Sequence, residues 1–216
     1  MNRVYFIAAL VFLVLSCKKD KKANIELSGS ISDGVNGGGV SGVTVTLSYR
    51  QYQNGVASSA FTTIGTYVTS SDGNYSFSFE KPSAILYRIQ LNRSDYFESS
   101  EEINPDLLTT QNQNTRNYTL FPSASFKILM TNTSPFNSQD QIVFQNLSEA
   151  SSCASCCNNS IKIFNGMTVD TSLTCTRYGD KYVRFQWIVT KNTVFNTYTD
   201  SVFCPKGQLT SYQINY

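Results

Sequence analysis

From residue 25 onward the chain alternates apolar and polar residues with a period of two. Ile25, Leu27, Gly29 and Ile31 share one phase, and Val43, Val45, Leu47 and Tyr49 another. Tyr75, Phe77 and Phe79 repeat the pattern, as do Ile85, Tyr87, Ile89 and Leu91. Successive side chains of a strand point to opposite faces, so each run predicts a strand buried on one side only. Such strands hide their apolar faces by stacking sheet on sheet. The segments "SDGVNGGG" (residues 32–39) and "SSDGN" (residues 70–74) separate the runs and are rich in residues that accept positive φ. Asp72-Gly73 predicts a tight hairpin, with Tyr75 and Phe77 in the core behind it.

After Pro122 the alternation restarts. Candidate strands are 125–130, 141–147, 160–164, 168–178, 182–190, 194–203 and 209–216. Gly179-Asp180 sits between two of these runs and predicts another hairpin. The expected fold is therefore all-β: two tandem antiparallel β-sandwich domains, residues 23–121 and 123–216, following an N-terminal leader. Composition agrees, since charged residues are only 15% of the chain, and the apolar ones are largely Val, Ile, Phe and Tyr. Residues 92–116 are polar and long for a connection, and predict either a mobile loop or a short helical turn at 106–110.

The leader begins Met1-Asn2-Arg3 and continues as an apolar run over residues 4–15. A membrane-spanning helix needs about 20 residues, whereas this length suits a secretory signal. The run ends Val14-Leu15-Ser16-Cys17 and turns abruptly into the lysine-rich stretch 18–22. This ending resembles the lipobox of bacterial lipoproteins. The resemblance implies a signal peptide at residues 1–16, diacylation of Cys17, cleavage before it and acylation of the new amino terminus. Several acyl chains give stable anchoring where one is marginal. Residues 17–22 would then be a lipidated tether whose lysines meet anionic headgroups. The expected location is the cell envelope, at the outer membrane, because Lys18 rather than an aspartate follows the cysteine.

The segment "GSISD…VSGVTVTL…TYVTSSDGNYSFSF" resembles the carboxypeptidase regulatory-like domain, a transthyretin-like or Ig-like sandwich. The positions that carry the likeness are Gly29, Asp33, Val40-Ser41-Gly42-Val43 and Asp72-Gly73-Asn74-Tyr75-Ser76-Phe77. The family implies an accessory, non-catalytic sandwich over residues 23–121. Some relatives close a Lys–Asn isopeptide bond from their first strand, and residues 25–31 contain no lysine. Residues 123–216 suggest no family.

The chain contains no histidine. Ser-His-Asp and Cys-His catalysis and the usual catalytic zinc sites all need an imidazole. A net charge of +2 without a basic face argues against nucleic acid. Five cysteines remain beyond Cys17: Cys153, Cys156, Cys157, Cys175 and Cys204. Behind a secretory signal these predict disulfides rather than a metal site. Two bridges and one spare is the simplest count: Cys175 and Cys204, on candidate strands, are placed to staple the second sandwich, and the loop cluster would hold a small-ring bridge or reach back to the strands. Asp33, Asn36, Asp72 and Asn74 are the residues of a conceivable calcium site, but turn chemistry is the better account of them. The acidic residues Glu98, Glu101 and Glu102 read as a solvated loop. Asp200-Ser201-Val202 resembles an O-glycosylation signal of some Gram-negative exported proteins.

Together these features lead us to expect a non-catalytic envelope lipoprotein, without cofactor or metal, serving as a binding or assembly module. Its partners would be the membrane, through the lipid, and a glycan, peptide or envelope protein. Tyr49, Tyr52, Tyr96, Phe97, Phe136 and Tyr198 are candidates for a sugar platform. The alternatives are a structural subunit of an outer-membrane complex, or a glycoside hydrolase working with carboxylates alone.

Overall fold

The computed structural model describes residues 23–148, 153 and 155–216. The leader and Cys17 lie outside the described residues. Apart from a 3-10 turn at Pro105–Leu107, the regular elements among the described residues are strands.

In the first sandwich, β1 (Asn24–Asp33) is the centre of one sheet. It runs antiparallel to β6 (Asn74–Glu80) and parallel to β9 (Asn114–Thr115) and β10 (Tyr118–Leu120). The facing sheet has the order β5 (Thr62–Val68), β2 (Thr44–Arg50), β7 (Leu86–Asn92), β8 (Ser99–Ile103). A small hairpin, β3 (Tyr52–Gln53) and β4 (Val56–Ala57), turns on Asn54-Gly55 at φ 51 and 80. Both central residues of the turn are left-handed, as the tight hairpin geometry requires. Ile25, Leu27, Val45, Leu47, Tyr87 and Ile89 meet between the sheets with no exposed surface. Tyr75 and Phe77 are buried in the same core. Each such side chain contributes roughly 1.5–3 kcal/mol on full burial.

The second sandwich pairs a three-stranded sheet with a four-stranded one. The first has the order β14 (Asp170–Tyr178), β11 (Ser123–Thr131), β17 (Leu209–Asn215). The second has the order β13 (Lys162–Asn165), β12 (Gln141–Asn146), β15 (Lys181–Lys191), β16 (Val194–Cys204). Phe126, Ile128, Met130, Ile142, Phe144, Val183 and Phe185 fill the space between them. The three-stranded sheet is mixed, because β11 runs antiparallel to β14 and parallel to β17, whereas the four-stranded sheet is antiparallel throughout.

Three local expectations change. Asp72-Gly73 does make a tight turn, with Gly73 at φ +77, but β5 and β6 belong to opposite sheets. The turn is an arch over the sandwich rather than a hairpin. A Cβ at Gly73 would lie 2.4 Å from the Ile31 carbonyl oxygen, so only glycine fits the close approach. Gly179-Asp180 likewise carries the chain from β14 in one sheet to β15 in the other. Backbone pairing there goes elsewhere: Gly179 N–H donates to Pro122 O and Asp180 N–H to Cys204 O. Third, residues 92–116 contain β8, the 3-10 turn and β9. Asn114 anchors this segment, its side chain accepting from Thr109 N–H and donating to Glu26 O.

No linker separates the sandwiches. Leu120 ends β10 and Ser123 begins β11, with Ser123 N–H donating to Asp95 O at 2.9 Å. Tyr178 packs its ring against Phe97 and Phe121. A polar chain crosses the same junction. Lys206 Nζ donates to the Tyr96 hydroxyl at 2.9 Å, which donates to Asp33 Oδ2 at 2.7 Å. Asp180 joins it by accepting from Asn36 Nδ2 and from Lys206 N–H. Burial of Asp33 pushes its carboxyl up, but the Asn36 and Val35 N–H groups and the Tyr96 hydroxyl outweigh that and hold it below the ordinary range.

A carboxyl held low in the fold stabilises it above the unfolded pKa of about 4, and that stability is lost as the pH falls through the folded value. Asp33→Asn should therefore destabilise the chain by about 1–3 kcal/mol near neutral pH. It should also flatten the acid limb of a melting-temperature profile measured from pH 7 to pH 3.

Candidate functional site

The β15–β16 hairpin builds the most distinctive site. Its turn is Asn192-Thr193, with φ 47 and 65, so both residues are left-handed. That geometry matches the right-handed twist of the flanking strands. It lets both strands run for 11 residues in unbroken register. Trp187 then stands opposite Tyr198 on the inner face, rings stacked at 5.3 Å and 16°. Tyr212 of β17 closes on Trp187 from the facing sheet at 6.2 Å.

Near the hairpin tip the two sheets part between β16 and β17. The cleft of about 330 Å³ there is lined by Trp187, Val189, Lys191, Val194, Asn196, Tyr198, Asn215 and Tyr216. Small-molecule pockets start at about this size. Lys191 forms one wall, its Nζ donating to Asn132 Oδ1 at 3.0 Å and to Ser134 O, with the Tyr216 ring 5.1 Å away. The Tyr216 hydroxyl is buried without a hydrogen-bond partner among the described residues, and burial raises its pKa. Tyr198 is 46% exposed, so part of its ring faces solvent. Asp200, two residues on, accepts from the Tyr212 hydroxyl and the Ser201 N–H, which hold its carboxyl below the ordinary range. The cleft thus offers stacked rings, two asparagines and a pinned ammonium.

The other sequence candidates do not converge. Tyr49 packs against the first core, and Tyr52 is exposed on the β3–β4 hairpin. Tyr96 and Phe97 serve the junction, and Phe136 is exposed on a loop. Of the six, only Tyr198 lines the cleft. Trp187 and Tyr216 were not among the candidates, because period-two reading makes any inward aromatic look like core. The cross-strand register that stacks Trp187 on Tyr198 is the missing signal. The three glutamates also separate: Glu98 accepts from Asn92, Glu101 from Tyr118 and Arg116, and Glu102 from Arg88. Asp33 spends its oxygens on Val35, Asn36 and Tyr96. Among the described residues no three His, Cys, Asp or Glu side chains are grouped to hold a metal ion.

The cysteines form Cys153–Cys156 and Cys157–Cys175, and Cys204 is a buried free thiol. The loop cluster thus both closes a small ring and reaches back to a strand, and Cys204 rather than a loop cysteine is the spare. Cys157 N–H donates to Thr176 O, and Cys156 bridges to Thr176, so this loop lies along β14 and brings Cys157 to Cys175. A second cavity of about 270 Å³ opens beside the bridges, between Phe144, Lys162 and Leu173.

No family model matches the sequence, and no curated protein matches it. Solved structures to which the chain aligns include the Bacillus anthracis TIE protein (10% identity, TM-score 0.37), over 89% of this chain and 34% of that one. A streptococcal ancillary pilin aligns at 10% identity and TM-score 0.36, over 90% of this chain and 63% of its own. The shaft pilin SpaA of Lactobacillus rhamnosus GG aligns at 8% identity and TM-score 0.36, over 89% and 97%. The chain therefore spans about a third of the TIE protein's length and under two thirds of the ancillary pilin's.

The bridges differ in the loops they close, 18 residues for Cys157–Cys175 and 3 for Cys153–Cys156. Replacing the first pair by serines should cost about 3 kcal/mol and the second about 2 kcal/mol in urea unfolding.

Proposed function

We propose that this chain is a lipid-anchored envelope protein of the outer membrane that binds a saccharide in the β16–β17 cleft without transforming it. The Trp187–Tyr198 stack in a cleft with asparagine amides carries the reading. A neutral sugar presents an apolar C–H face and a rim of hydroxyls. Aromatic rings complement the face, and amides or phenols complement the rim.

Catalysis fits less well. Glycoside hydrolysis needs two carboxyl groups about 5–10 Å apart across one bond. Glu98, Glu101 and Glu102 are each engaged by different partners, and Tyr212 holds Asp200. The first sandwich, with its resemblance to carboxypeptidase regulatory-like domains, serves in this reading as a spacer between anchor and cleft. The anchor itself rests on the Val14-Leu15-Ser16-Cys17 motif.

Two measurements test the reading. On a glycan array the chain should bind at least one saccharide class, and Tyr198→Ala should weaken it tenfold or more, about 1.4 kcal/mol. Because Tyr198 is half exposed, the variant should keep its fold, checked by its melting transition. Absence of any saccharide ligand, or full retention by Tyr198→Ala, overturns the proposal. For the anchor, Cys17→Ser should abolish incorporation of radiolabelled palmitate and leave the leader uncleaved on a gel.

A further inference from the structure

Edge strands are usually blunted by prolines, lysines, bulges or shortness, since an open edge pairs with other chains. β16 is an edge strand of 11 residues that pairs only with β15 among the described residues, and it has none of those devices; its single inward-pointing charge, Asp200, is engaged by the Tyr212 hydroxyl of the facing sheet. It contains no proline, glycine, lysine or arginine, and every residue from Val194 to Ser201 is exposed. The other edges are shorter: β8 has 5 residues, β13 has 4, and β5 carries a register shift against β2.

The tight turn at Asn192-Thr193 closes on Lys191 opposite Val194. A two-residue turn closes on a hydrogen-bonded pair, so the even-numbered residues of β16 spend their backbone groups on β15. The odd-numbered residues, 195 to 203, point theirs outward. Their side chains lie on the outer face, opposite to Trp187, and read Phe195, Thr197, Thr199, Ser201, Phe203. This series is nearly the same in both directions about Thr199.

We propose that β16 is a docking edge for a second copy of this chain, joined antiparallel on a two-fold axis through Thr199. In that register Thr199 meets the partner's Thr199, Thr197 meets the partner's Ser201, and Phe195 meets the partner's Phe203. All outward backbone groups from 195 to 203 find partners in phase, since odd faces odd. Phe195, 71% exposed, gains a ring contact, because Phe203 already stands 5.3 Å from Tyr182 within its own chain. The one charge on the strand is also placed without conflict. Asp200 faces the partner's Tyr198 rather than another carboxylate. The joint consumes both edges, so assembly closes at two copies instead of growing into a fibre.

This inference is independent of what the cleft binds. The test uses the chain as cells make it, purified in detergent, with Thr199→Cys or Phe195→Cys as the added thiol. Under mild oxidation Thr199→Cys should run at twice the monomer mass on a non-reducing gel. Phe195→Cys should stay at monomer mass, because its own copy lies at the far end of the joint. Thr199→Pro removes only an outward N–H, so sedimentation should show that it is folded and monomeric where the unaltered chain is dimeric. A monomeric unaltered chain, equal cross-linking of both cysteine variants, a Thr199→Cys adduct to a different protein, or a glycan on Ser201 would each overturn the proposal.

Discussion

Every strand of this protein must hide one face and leave the other wet. Two layers of sheet meet that demand over most of the molecule, and it explains why consecutive strands so often part company. β5 and β6 cannot both sit in one sheet and also face each other across the core. The chain therefore arches over the sandwich at Gly73, where a side chain would strike the Ile31 carbonyl. The same demand relaxes beside β16, which extends past the cover provided by β17. What is left uncovered is a cleft on its inner face and an open backbone edge.

Much of this was legible beforehand. Period-two alternation locates β1, β2, β6 and β7, and all seven strands of the second half coincide with candidate runs to within a few residues. Pairing was not legible. Asp72-Gly73 and Gly179-Asp180 have hairpin chemistry, yet both turn between layers, because turn residues specify a local bend and not the sheet that receives the next strand. The true long hairpin turns on Asn192-Thr193, which lacks the usual glycine. β8 was hidden in a polar stretch because Glu101 points inward and is satisfied by Tyr118 and Arg116 instead of apolar neighbours.

The cleft was harder still. Trp187 looks like any core residue on an alternating strand, and its stack with Tyr198 exists only through register. Cys175 posed the same difficulty. Its partner is decided by how residues 155–157 lie along β14, a tertiary fact that cysteine spacing does not carry.

The linkerless junction has a mechanical outcome. β1 runs from Asn24 to Asp33 at the seam, and β15 runs from Lys181 at the seam to Lys191 beside the cleft. At about 3.3 Å per residue the two spans together reach roughly 60–70 Å. The molecule is thus a stiff rod, with the start of β1 at one tip and the cleft toward the other. Two such rods joined antiparallel through β16 would carry their Asn24 ends at opposite extremes of the pair, so anything attached there would be held far from its counterpart.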